Sequence, residues 1–328
     1  MTEHYAHGKL CRVTCGNAIE CLRELPPNIF DCCITSPPYF GLRDYGIAGQ
    51  IGLEDSPDNY INALVEVFGE LKRVLKDDGT LWVVIGDSYA GSGKGGQSKS
   101  MRSENWKPDY ANKSKTYGLK TKDLIGIPWL LAFALRNDGW YLRQDIIWHK
   151  PNVMPESVRD RCTRSHEYIF MFSKSARYYY NNDTIKEPIA ESTKGRKTAT
   201  FGGEKGRNYT PNKSDPNYRS GSDQWGRVWE NNSDTRNKRS VWTVATKPLK
   251  ESHYAAFPTE LIKPCILASS KHKGIVLDPF CGSGTTGITA WQLGRAFHGI
   301  DINPDYCKLT IRRLRRLKSI PPEEILKF

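Results

Sequence analysis

Along most of the chain, short continuous apolar runs alternate with longer stretches in which apolar residues recur every three or four positions. Phe30-Asp31-Cys32-Cys33-Ile34-Thr35 is the first such run; a short amphipathic helix carrying Ile19, Leu22 and Leu25 and a Pro26-Pro27-Asn28 turn precede it. Ser56-Pro57-Asp58 then reads as a helix start, with Ser as N-cap and Pro in the first turn. Tyr60, Leu64, Val67, Leu71 and Val74 follow at helical spacing, Gly79 is the expected stop, and Thr80 to Ile85 the next buried strand. The alternation repeats with a helix around Pro128 to Arg136, an Asn137-Asp138-Gly139 stop and a strand from Tyr141 to Trp148. It resumes with a helix over Ile262 to Ala268, a strand over Gly274 to Leu277, and a helix carrying Ile288, Trp291 and Leu293 that stops at Gly294. Ala296 to Asp301 is a further strand, and Asn303-Pro304 caps a last helix with Cys307, Ile311, Leu314 and Leu317 on one face. Helices alternating with uniformly apolar strands predict an α/β fold: a Rossmann-like, doubly wound, mostly parallel sheet covered on both faces.

Two stretches interrupt the rhythm. Residues 91–122 are rich in Gly, Ser and Lys, with eight basic and two acidic side chains, and are expected to form a long mobile loop. Gly91 to Gly96 lacks both the spacing of a phosphate-binding loop and the Ser or Thr that should follow Lys94. Residues 181–240 have few aliphatic side chains but keep Phe201, Tyr209, Tyr218, Trp225 and Trp229 among Lys, Arg, Asn and Ser. Interleaved basic and aromatic side chains suit a nucleic-acid surface, and a solvated insertion has the same composition.

Composition narrows the partners. Lys and Arg number 48 against 36 Asp and Glu, a formal charge of +12 that calls for a polyanion. A hydrophobic content of 38% in 328 residues supplies a sizeable core and excludes wholesale disorder. The amino terminus lacks a signal-like apolar stretch and Ile125 to Leu135 is too short to span a bilayer, so a cytoplasmic protein is expected. The nine Cys include no Cys-x-x-Cys pair, so reduced, mostly buried thiols are expected rather than a disulfide framework, and no metal site.

Two motifs carry the chemistry. From Gly274 to Asp301 the order is strand, Gly-rich turn, helix and acidic strand end. In that arrangement Gly282 and Gly284 allow close backbone approach to a ligand, and Asp301 can hold ribose hydroxyls. Ser36-Pro37-Pro38-Tyr39 ends an apolar strand. Its prolines hold the backbone extended and remove N–H donors, so the Ser36 and Pro37 carbonyls project as acceptors and Tyr39 offers a ring face to a planar base.

With both motifs in this order, the chain resembles the beta class of DNA amino-methyltransferases, in which the proline-rich motif precedes the S-adenosylmethionine motif. The resemblance runs from Gly16 to Lys318, through Asp31–Tyr39, Leu75–Asp87, Trp148–Asn152, Arg164–Ser173, His253–Pro258 and Asp278–Thr286. It implies the seven-stranded methyltransferase fold in circularly permuted motif order, with a loop-rich target-recognition insertion. The implied division is a catalytic half over 1–180 containing the basic loop, a target-recognition region over 181–240, and a cofactor-binding half of the same domain over 241–328.

For the site, the resemblance implies that Ser36, Pro37, Pro38 and Tyr39 are catalytic. Asp278, Phe280, Gly282, Gly284 and Thr285 match the turn for the methionine part of S-adenosylmethionine, Asp301 the ribose-binding acid, and Phe257 and Pro258 the opposite wall. Asn17 stands where many relatives have an Asp that contacts adenine. The implied reaction is direct in-line methyl transfer to an exocyclic nitrogen of a base flipped out of double-stranded DNA, with a cognate restriction endonuclease as possible partner. Ser in the motif's first position is associated with cytosine N4, and Asp with adenine N6. Adenine N6 methylation is the alternative, followed by a nucleic-acid-binding module with a vestigial cofactor site and by an RNA or protein amide methyltransferase.

Overall fold

The computed structural model describes residues 1–42, 44–91, 117–191, 234–247 and 257–317. Most of the expected basic loop, the greater part of 181–240, and His253 to Ala256 lie outside the described residues. Met1–Thr184 with Arg239–Phe328 forms one compact unit and Ile185–Lys238 another.

The large unit opens with β1 (Thr2–Ala6), β2 (Cys11–Cys15), α1 (Ala18–Arg23), β3 (Phe30–Thr35), α2 (Pro57–Val74) and β4 (Leu75–Ile85). It continues with α3 (Ile127–Asn137), β5 (Tyr141–His149) and β6 (His166–Ser173). The small unit contributes β7 (Glu187–Pro188) and β8 (Thr235–Arg236), paired antiparallel and joined by an Arg236–Glu187 ion pair. The large unit closes with β9 (Val241–Thr243), α4 (Thr259–Ser269), β10 (Ile275–Asp278), α5 (Thr285–Gln292), β11 (Ala296–Asp301) and α6 (Pro304–Arg315).

The nine strands of the main sheet lie in the order β1-β2-β11-β10-β3-β4-β6-β5-β9. From β2 to β4 every neighbour is parallel. β4, α3 and β5 form a parallel crossover unit whose gap is filled by β6, antiparallel to both. The seven strands from β2 to β5 are thus flanked by antiparallel β1 and parallel β9.

Both faces are buried, which explains the uniformly apolar strands. Cys33, Leu81, Val83, Phe170 and Phe172 pack with α1, α2 and α3, while their strand neighbours Cys32, Ile34, Trp82, Val84, Ile169 and Met171 pack with α4, α5 and α6. The helix starts follow local chemistry. The Ser56 side chain accepts from Asn59 N at 3.1 Å, and Asn303 Oδ1 from Asp305 N at 2.9 Å.

The sequence-based expectations fail in particular places. Gly79 does not end α2, which stops at Val74 and passes directly into β4. Gly79 instead sits where a Cβ would lie 2.9 Å from the Lys76 carbonyl oxygen and 3.2 Å from that of Asp31. The pattern also did not reveal the β1–β2 hairpin or β6, whose antiparallel course depends on strands distant in sequence. Among the described residues no helix is long and apolar enough to cross a membrane.

Candidate active site

The pairing registers bring the carboxyl ends of five parallel strands to one edge of the sheet. Asp301 pairs with Cys15, Asp278 with Gly299, and Thr35 with Val83. Chain segments leaving these ends enclose a pocket of about 1080 Å³, counted to its solvent mouth. Ligands of open α/β sheets are held at such an edge, outside the carboxyl ends of the strands.

Asp278, the last residue of β10, is fully enclosed and ties the two motifs together. Its Oδ1 accepts from the Thr35 hydroxyl at 2.7 Å and from Phe280 N at 3.1 Å, while Oδ2 accepts from the Thr286 hydroxyl at 2.6 Å. Thr35 immediately precedes Ser36, so one carboxylate fixes the exit of the proline-rich motif and the start of the Gly-rich turn. Burial raises the Asp278 carboxyl from 3.8 to about 6, against the opposing effect of these hydrogen bonds.

At the end of β11, Asp301 Oδ2 accepts from Gly282 N at 2.7 Å and Oδ1 from Asn303 N at 2.8 Å. Each oxygen retains a lone pair that can accept from a diol. Burial raises this carboxyl to about 6 as well. The turn between them bends sharply at Gly282 (φ +50°) and Gly284 (φ +80°), and the Thr310 hydroxyl donates to the Gly282 carbonyl at 2.7 Å.

Across the pocket, Ser36 to Tyr39 leave β3 in a braced conformation. The hydroxyl of Tyr60, a fully buried residue of α2, donates to the Pro38 carbonyl at 2.9 Å, and Leu42 N donates to the Tyr39 carbonyl at 3.2 Å. Among the described residues, none donates a hydrogen bond to the carbonyls of Ser36 or Pro37, which stay available as acceptors. The Tyr39 hydroxyl donates to Glu167 Oε2 at 2.7 Å. Burial first, and then the Glu167 carboxylate, push the Tyr39 phenol well above its usual range, so it stays protonated.

The pocket lining includes Asn17, Ser36, Pro37, Pro38, Tyr39, Phe257, Asp278, Phe280, Gly282, Thr285 and Asp301. Two other expected residues lie outside it. Gly284 starts α5, where a Cβ would meet Thr310 Cγ2 at 2.4 Å, and Pro258 is the buried residue that starts α4. Asn17 is occupied in part by structure: its Oδ1 caps α1, accepting from Ile19 N at 2.9 Å. Its Nδ2 is the end that lies near Gly49 of the same pocket.

Sequence reasoning missed the segment after the motif, where Tyr45, Gln50 and Ile51 close one side of the pocket. It also missed Tyr306, in the first turn of α6, whose ring meets that of Tyr45 edge-on at 6.1 Å. Helical position one turn after Asp301 was the available signal for Tyr306; the loop residues had none. Cys281 also lines the pocket, but burial pushes its thiol well above the usual range, which suppresses the nucleophilic thiolate.

A doubly wound sheet with a Gly-rich turn and acidic strand end on one side of a pocket, and a rigid acceptor motif on the other, defines an α/β protein suited to holding a nucleoside-bearing cofactor beside a planar substrate. The chain belongs to the DNA methylase family of N6 and N4 methyltransferases, whose family model matches residues 30–312. It is 46% identical over 306 residues to the Type II methyltransferase M.SmaI of Serratia marcescens, spanning 93% of this chain and 91% of the relative. It is also 46% identical to M.Cfr9I of Citrobacter freundii, over 92% and 86% of the two chains. Among solved structures, the fold matches the cytosine-N4-specific PvuII DNA methyltransferase at a TM-score of 0.59, with 17% identity over 96% of this chain and 89% of that one. A DNA modification methylase from Thermus thermophilus, complexed with S-adenosyl-L-methionine, matches at a TM-score of 0.54 with 22% identity over 96% of both chains.

Proposed function

We propose that this protein is a Type II DNA methyltransferase that methylates the exocyclic N4 of cytosine after flipping the base from the duplex. The observation that carries this reading is the Thr35–Asp278–Thr286 hydrogen-bond chain, which holds the Ser36 motif and the Gly-rich turn on opposite sides of one pocket. The pocket fits S-adenosylmethionine: two buried carboxylates stand at its floor, one with free lone pairs for ribose hydroxyls, and the apolar rings of Phe257 and Phe280 line it. When bound, that cofactor supplies a sulfonium methyl group to the amino nitrogen in line.

The chain's own residues arrange the acceptor. Ser36 and the Pro37 carbonyl accept the amino hydrogens of the base, aiming the nitrogen lone pair into the pocket, while the Tyr39 ring stacks on the base. Positioning of two bound reactants supplies most of the rate gain. Stacking and edge hydrogen bonds offset the few kcal/mol needed to unstack the target. Residues 181–240, with their interleaved aromatic and basic side chains, are the target-recognition region in this reading, and an endonuclease of the same specificity is the partner.

Cytosine is preferred over adenine because Ser36 occupies the first position of the motif. Nucleoside mass spectrometry of DNA treated with the protein and isotopically labelled cofactor is expected to show N4-methylcytosine; N6-methyladenine would replace that assignment with the adenine reading. Competition with RNA and peptide acceptors is expected to leave label only in DNA. Ser36→Ala is expected to lower kcat by about 100-fold or more while cofactor affinity, measured calorimetrically, changes less than about threefold. A collapse of cofactor affinity would remove Ser36 from the role assigned to it.

A further inference from the structure

We propose that Glu167, held by Lys150, is a positioning residue that fixes the Tyr39 ring against the target base; this rests on the methyltransferase reading above. Tyr39 follows β3, whereas Glu167 is the second residue of β6, with β4 lying between those strands. The gap is bridged because the residue just past β4 is Gly86. A Cβ there would lie 2.7 Å from Tyr39 Cε2 and 3.3 Å from the Glu167 carboxyl carbon, so any other residue would push the ring and the carboxylate apart.

The carboxylate is divided between two partners. Glu167 Oε2 accepts from the Tyr39 hydroxyl at 2.7 Å and Oε1 pairs with Lys150 Nζ, from the far end of β5. The ammonium group in turn stands 4.2 Å from the centroid of the Trp148 ring. Only 17% of the Lys150 side chain and 18% of the Glu167 side chain are exposed, so the pair is largely desolvated. Such a pair is a poor source of stability, since apolar side chains of similar volume would serve as well or better. What it does provide is a directional acceptor for the one polar atom of Tyr39. The Tyr60 hydroxyl holds the Pro38 carbonyl from the α2 side. Backbone and ring are thus restrained from different elements, and the ring cannot turn without losing the Glu167 bond.

The test begins with the wild-type protein, cofactor carrying a tritiated methyl group, and genomic DNA from a bacterium that lacks the modification. Failure of the wild type to label DNA would count against the functional reading; the comparisons below concern the positioning role alone. Lys150→Met combined with Glu167→Leu removes the pair as a unit, leaving no lone charge. It is expected to unfold at the wild-type temperature and to bind S-adenosylmethionine within about twofold of wild type, yet to lose about tenfold in kcat. Tyr39→Phe keeps the ring and removes the donor, and a similar loss is expected. Combining all three substitutions is expected to give no loss beyond that of Tyr39→Phe alone, because Glu167 acts only through that hydroxyl. Wild-type kcat in either the pair variant or Tyr39→Phe, or losses that multiply when combined, would overturn the proposal. If the pair variant does not fold, wild-type kcat in Tyr39→Phe still overturns it.

Discussion

Asp278 and Asp301 are identified as cofactor residues from their place in a motif, but their most definite contacts are internal, to Thr35, Thr286, Gly282 and Asn303. Both carboxyls are raised by burial from 3.8 to about 6. For a carboxyl raised in the folded state, the unfolded chain ionises first. The stability present below about pH 4 is therefore lost as the pH rises to about 6, by up to about 3 kcal/mol for each group. Asp278→Asn cannot ionise. Its stability relative to wild type is therefore expected to be greater at pH 8 than at pH 4.5, measured by urea unfolding at both pH values. An unchanged difference would show that Asp278 keeps an ordinary acidity in the folded protein.

Helices and strands determine how these side chains meet. The start of α5 is set by Gly284, whose φ of +80° and close approach to Thr310 leave no room for a Cβ. Gly284→Ala is expected to destabilise the protein by about 2 kcal/mol or more, through both positive φ and the clash. Thr310→Ala in the same chain should recover only the clash portion, as read from urea midpoints. The α3 start shows another solution. Gly126 supplies no capping side chain, and Asp87, just past β4, accepts from Gly126 N at 3.0 Å and Ile127 N at 3.1 Å. The α2 and α6 caps were legible because Ser56 and Asn303 lie next to their own helices. The Asp87 cap was not, since its helix starts some forty positions later.

The distribution of charge belongs to the molecule as a whole. Residues 91–122 hold eight basic and two acidic side chains, and residues 191–240 eleven and six, which together account for nearly all of the +12 excess. Both segments fall outside the catalytic motifs, where contact with a nucleic-acid backbone is expected. If they neutralise about six phosphates, the logarithm of DNA affinity should fall against the logarithm of salt concentration with a slope of about −5. Fluorescence anisotropy with labelled duplex DNA across a salt series measures that slope, and a flat dependence would assign the charge to solubility instead.

By itself the sequence determined the alternation of helices and buried strands, the Gly-rich turn, the proline-rich motif and the order of the two motifs. These rest on local signals: periodicity, caps, proline stiffness and glycine at the turn. Tertiary structure alone decided that β6 runs antiparallel between β4 and β5, that Gly79 lies within a strand, and that Gly284 and Pro258 support the pocket without lining it. It also decided which polar atoms are already committed, as the Pro38 carbonyl is to Tyr60 and the Tyr39 hydroxyl to Glu167. The physical reason is common to all of these: each depends on atoms brought together by sheet register from distant parts of the chain, and a one-dimensional pattern carries no record of that register.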